Sequence, residues 1–220
     1  MQQTISHSSS QALGSHRVLR NTYALLSMTL LFSAAMATVA MAFQWPPLGP
    51  IVTLIGFYGL FFATAKLRNS VWGLVSVFAL TGFMGATLGP ILNIYMSRFA
   101  NGDEIVILSL GGTGAIFLAM SAFALTTKKD LSGMGRFLMI GILVAFIAAL
   151  ANIFLKITGL ALAVSSMFLV ISSLLISYET QQIVRGGETN YIMATVSLFV
   201  SIYNIFVSLL SLLGFAMGED

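Results

Sequence analysis

The stretch 171-ISSLLISYETQQIVRGGETNY-191 is an apolar run thick with serine that admits a carboxylate, Glu179, well before its turn signal, Gly186–Gly187. What that glutamate means depends on the solvent around it. On a water-facing helix it would be ordinary. In lipid, an ionised and unpaired carboxylate is costly and calls for a partner, hydration or a retained proton. Composition decides between the two. Of 220 residues, 58% are hydrophobic and 8% charged, whereas a soluble domain carries roughly a quarter charged residues. The mean hydropathy is +0.96. The few charges sit in short patches between apolar runs of roughly 20 residues, the length that crosses a hydrocarbon core of about 30 Å.

The reading is therefore an all-α, polytopic membrane protein. Seven transmembrane helices are expected near 22–43, 48–65, 71–96, 105–126, 135–155, 159–182 and 190–214. Proline ends the first of them, in QWPPLGP (44–50), since it cannot continue a helix and restricts the residue before it. The remaining connections, KLRNS (66–70), RFANGDE (98–104), TTKKDLSG (126–133), KITG (156–159) and VRGGETN (184–190), are all short, so successive helices should be antiparallel neighbours. Around this domain (22–215) the sequence implies a flexible tail at 1–21, polar and serine-rich at its start, and a short C-terminal tail at 216–220.

Lys and Arg counts set the expected orientation. Eight of the ten lie in the N-terminal tail, the second, fourth and sixth connections and the start of the fifth span, against Arg98 and Lys156 on the other side. The positive-inside rule then places the N-terminus in the cytoplasm and the C-terminus outside, which in a bacterial inner membrane is the periplasm. HRVLR followed by a run ending ATVAMA has the look of a secretory signal. The apolar run from Tyr23 to Phe43 exceeds the usual h-region of about 7–15 residues, which argues for retention.

Several chemistries lack their residues. There is no cysteine, and the two histidines, His7 and His16, both fall in the tail, so neither a metal centre nor a cofactor is expected. GGTG (111–114) lacks the lysine and spacing of a phosphate loop and reads as close helix packing. GATLGP (85–90) holds a GxxxG pair before Pro90, which reads as packing plus a kink, with a gating hinge as the alternative. No nucleophile or acid–base set is assembled, and an enzyme is not expected.

The polar residues of the last two spans do form a pattern. Ser197, Ser201, Asn204, Ser208 and Ser211 follow steps of 4, 3, 4 and 3, one face of a helix. In the sixth span Ser165, Ser172 and Glu179 repeat at seven. Lipid penalises such faces, so they should turn inward, to each other or to a hydrated cavity. Seven residues at about 1.5 Å each put Glu179 some 10 Å from the glycine turn, within the cytoplasmic margin of the membrane. Lys66, Arg68 and Arg185 are its candidate cations. Two readings stay open for it: a proton-sensitive plug, or a carboxylate that reaches the headgroups as an anchor.

YETQQI (178–183) and SLFVSIYNIFVSLLSLLGF (197–215), with HRVLRNTY, LGPILNIY, LTTKKDLS and ANIFL along the rest of the chain, resemble the Bax inhibitor-1 (transmembrane Bax inhibitor motif) family. The resemblance implies six helices surrounding the last. It also implies two activities. Members similar to this sequence bind the membrane-bound AAA protease FtsH, with its HflK–HflC partners, and restrain its proteolysis. Others are pH-sensitive calcium leak channels, in which two aspartates on the last two helices share a proton and a basic residue acts as latch. Carried over by position, those aspartates fall on Glu179 and Ser201, and the latch near Lys66 or Arg68. Serine cannot share a proton as a carboxylate does, so the paired switch is incomplete in this chain.

Overall fold

The computed structural model describes the backbone of residues 2–218 and the side chains of residues 14–218. Its elements are α1 (Gln2–Ala42), α2 (Pro50–Leu67), α3 (Val71–Arg98), α4 (Gly102–Thr126), α5 (Met134–Leu155), α6 (Thr158–Val184) and α7 (Tyr191–Met217), and all regular structure among the described residues is helical. Seven of these helices, α1 counted from Gly14, are long and apolar enough to cross a membrane. The chain is a multi-pass, all-helical membrane protein, and the ends fall close to those expected.

The main difference is at the start. The backbone of residues 2–21, expected as a tail, is already helical and continuous with the first span, since no proline precedes Pro46. The side chains of residues 2–13, and residues 1, 219 and 220 altogether, lie outside the described residues.

The helix ends follow from local chemistry. At the end of α1 the Trp45 N–H bonds the Ala40 carbonyl at 3.0 Å and the Gln44 N–H bonds that of Met41 at 3.1 Å, around a left-handed Gln44 with φ 49°. This is a Schellman closure with glutamine in the place glycine usually takes. Pro50 then opens α2, where its missing N–H costs nothing. At the start of α7 the Asn190 Oδ1 accepts the Ile192 and Met193 N–H groups at 3.1 and 3.0 Å, an N-cap that satisfies two otherwise orphaned donors.

Two compact units divide the chain. One holds Met1–Arg98 and Ile183–Phe199, the other Phe99–Gln182 and Val200–Asp220. In the first, α3 packs against both α1 and α2. Gly85 lies directly on the Ser33 carbonyl, and a methyl group at Gly89 would come within 2.7 Å of the Ala37 carbonyl. Small residues four apart on both helices thus let the backbones touch, and the GxxxG pair does the packing expected of it. In the second unit Leu138 and Ala145 of α5 bury against Ile171 of α6, with Gly141 under the Ile171 side chain. The GGTG run behaves differently from its expectation. Gly112 meets Leu209, but nothing lies within 4 Å of a side chain at Gly111 or Gly114.

Gly89→Val should therefore destabilise the protein by about 1–3 kcal/mol, the usual cost of overpacking, whereas Gly114→Ala should be neutral or stabilising by up to about 1 kcal/mol through helix propensity. Thermal unfolding in detergent checks both, and equal effects of the two would refute the backbone contact.

Candidate functional site

The second unit assembles a polar seam from α6 and the C-terminal part of α7. Ser165 Oγ donates to Ser211 Oγ at 3.2 Å, so the serine faces expected to turn inward do meet. Ser172, Ser201 and Ser208 are buried at 1%, 3% and 4% exposure, as lipid-averse hydroxyls must be. Asn204 is half-buried on the same face. Interhelical bonds of this kind contribute about 0.6 kcal/mol each on average. Ser166 and Ser173, which flank the seam, return their hydroxyl protons to their own helix at the Leu162 and Leu169 carbonyls, 2.9 and 2.6 Å away.

Glu179 continues the Ser165–Ser172 face, since two steps of seven along a helix hold nearly the same direction, and it is half-buried. Ser197, also half-buried, belongs to the first unit although it shares α7 with Ser201. Lys66 and Arg68 are exposed at the C-terminal end of α2, again in the first unit. There the Arg68 carbonyl accepts the Asn190 Nδ2–H at 3.1 Å, and Asn69 Oδ1 accepts from the same amide at 2.9 Å. The α2–α3 connection is thereby tied to the start of α7.

The opposite face of α6 carries residues that the sequence pattern did not single out. Ser177 donates to the Met120 carbonyl of α4 at 2.8 Å. One turn further, Gln181, 3% exposed, accepts the Leu131 N–H on its Oε1 at 2.7 Å and donates from Nε2 to the Lys129 carbonyl at 2.8 Å. One side-chain amide thus imitates a strand, holding the α4–α5 connection by both of its backbone polarities. Within that connection Asp130 Oδ1 accepts the Ser132 N–H at 2.9 Å. The i, i+4 spacing of Ser177 and Gln181 was the available signal, but their partners lie 50 to 57 residues away in sequence. Among the described residues no cluster of three or more metal-ligating side chains occurs.

These features define a multi-pass helical membrane protein whose last two spans hide a hydroxyl-lined face. The chain belongs to the Bax inhibitor-1 family, whose pattern, described as "Inhibitor of apoptosis-promoting Bax1", matches residues 15–218. It is 54% identical over 214 residues to the "Modulator of FtsH protease YccA" of Escherichia coli, covering 97% of both chains. An uncharacterized protein of Pseudomonas aeruginosa is 53% identical over 203 residues, 92% of this chain and 91% of its own. An "uncharacterized membrane protein" of Vibrio cholerae is 45% identical over 211 residues, 96% and 94% of the two chains. The names the relatives carry are those of a modulator and of membrane proteins, not of enzymes.

Replacing Gln181 by leucine leaves the buried Leu131 N–H without its acceptor, at about 1–3 kcal/mol, and removes the amide's bond to the part-buried Lys129 carbonyl. Gln181→Leu should consequently loosen the α4–α5 connection, and trypsin should cut at Lys128 and Lys129 severalfold faster than in the parent. An unchanged cleavage rate would show that the amide clamp does not hold the loop.

Proposed function

We propose that this protein binds the FtsH protease in the membrane and restrains it. The observation that carries this reading is the 54% identity, over 97% of both chains, to a protein named as the modulator of that protease. A chain that aligns end to end with such a relative has the same spans with which to meet a membrane-embedded partner. HflK–HflC are the further partners this reading brings. It takes the N-terminus as cytoplasmic, on the eight-to-two distribution of Lys and Arg. On this reading the polar, almost uncharged segment before Arg17 is what a cytoplasmic AAA protease grips, being on the same side of the membrane.

The second reading is a cation or calcium leak along the α6–α7 seam. Buried hydroxyls at Ser172, Ser201 and Ser208, with the half-buried Glu179 in line, favour it. It needs the seam to hydrate, whereas the Ser165–Ser211 bond closes one level of it.

Two measurements separate the readings. FtsH should co-purify with the intact protein, and deleting residues 2–14 should lengthen the protein's cellular half-life severalfold while active protease is present. Unchanged turnover without co-purification would sink the first reading. Purified protein in liposomes loaded with a calcium dye should leak no faster than empty liposomes. A leak abolished by Glu179→Gln would establish the second.

A further inference from the structure

A cavity of about 490 Å³ lies between the α1–α2 connection and the last two turns of α3, at the membrane face opposite the one at which the chain begins. Its origin is steric. The two helices touch at Gly89, α3 continues past Pro90 to Arg98, and α1 stops at Ala42. The chain leaving α1 cannot follow α3, and the gap stays open.

The walls combine two kinds of surface. Trp45, Ile94 and Pro90 supply an apolar side, while Gln44, Asn93 and Ser97 supply neutral polar groups. Asn93 Nδ2 donates to the Met41 carbonyl at 3.2 Å, and its Oδ1 has no partner among the described residues. Arg98, exposed, comes directly after Ser97. No wall residue is charged. Gln44 holds the left-handed position of the α1 closure, with φ 49°, where glycine would fit without strain. A cap alone does not need a carboxamide there.

Apolar surface interleaved with neutral polar groups, followed at the end of the span by a cation, matches the glycerol region of a phospholipid, where upper acyl carbons and ester carbonyls lie side by side beneath the phosphate. Tryptophan at this depth is itself an interfacial residue, and the volume falls in the range of small-molecule sites, about 300–1,000 Å³. We propose that this cavity is a binding site for one phospholipid of the leaflet opposite the N-terminus. Its ester carbonyls accept from Asn93 and Gln44, its upper acyl carbons lie along Trp45 and Ile94, and its phosphate lies towards Arg98.

The chain has two tryptophans, Trp45 and Trp72, so Trp72→Phe leaves a reporter in the cavity wall and Trp45→Phe leaves one on exposed helix surface as a control. Each variant is reconstituted in phosphatidylcholine vesicles with increasing phosphatidylglycerol brominated next to its ester carbonyls. Trp45 fluorescence should quench saturably and at a severalfold lower mole fraction than that of Trp72. Asn93→Leu in the Trp72→Phe background should return the curve to the control. Arg98→Gln, at an exposed position that packs against nothing in the cavity, should weaken saturation severalfold with the fold intact. Quenching that rises linearly with mole fraction at both tryptophans, or that survives Arg98→Gln unchanged, overturns the proposal. So does a Trp45 signal that responds to a soluble sugar but not to the brominated lipid.

Discussion

The hydrocarbon core of a bilayer offers no water to complete a hydrogen bond, so every polar group carried into it must be satisfied by the protein itself. That constraint organises this chain. Most of its span hydroxyls take the nearest solution and return a proton to a carbonyl three or four residues back. Ser76, Thr87, Ser109 and Thr113 do so at 2.9, 2.7, 2.7 and 2.6 Å. These residues cost the membrane little and say little about neighbours.

The informative polar groups are those that cannot be satisfied locally. Ser165 and Ser211 bond across α6 and α7, Ser177 reaches α4, Gln181 holds the α4–α5 connection, and Asn190 joins the α2–α3 connection to α7. Each draws two distant segments together, the serines between spans, where apolar contact alone confers no preference between protein and lipid, and the amides at the connections. Glycine serves the same end by another route. At Gly85 and Gly89 the absence of a side chain lets α1 and α3 approach until backbone meets backbone.

How much of this the sequence discloses depends on the range of the interaction. Span number and ends were legible because apolar runs and Pro/Gly punctuation are local, and they failed mainly at α1, where the charge at Arg17 and Arg20 marks the membrane margin but does not stop the helix. The seam was legible as a periodicity, and the Ser165–Ser211 contact followed from two faces that lipid would reject. Gln181 and Asn190 were not legible as ties, since an amide in a connection or near a helix end has many local uses, and only the fold shows which backbone it meets. GGTG misled in part, because glycine frequency in a span does not distinguish a packed face from an open one. The α1–α3 cavity had no sequence signal at all. It arises from a divergence of two helices that touch one turn earlier.

α6 and α7 are joined at Ser165 and Ser211, one level of the hydroxyl-lined face they share. The chain's lack of cysteine makes a direct test possible. With Ser165→Cys and Ser211→Cys together, copper-phenanthroline in native membranes should form an intramolecular disulfide in most of the protein. Ser166→Cys with Ser211→Cys should not, since Ser166 is exposed and points about 100° away around the helix. Equal cross-linking of the two pairs, or none in the first with both thiols open to a water-soluble maleimide, would contradict the seam.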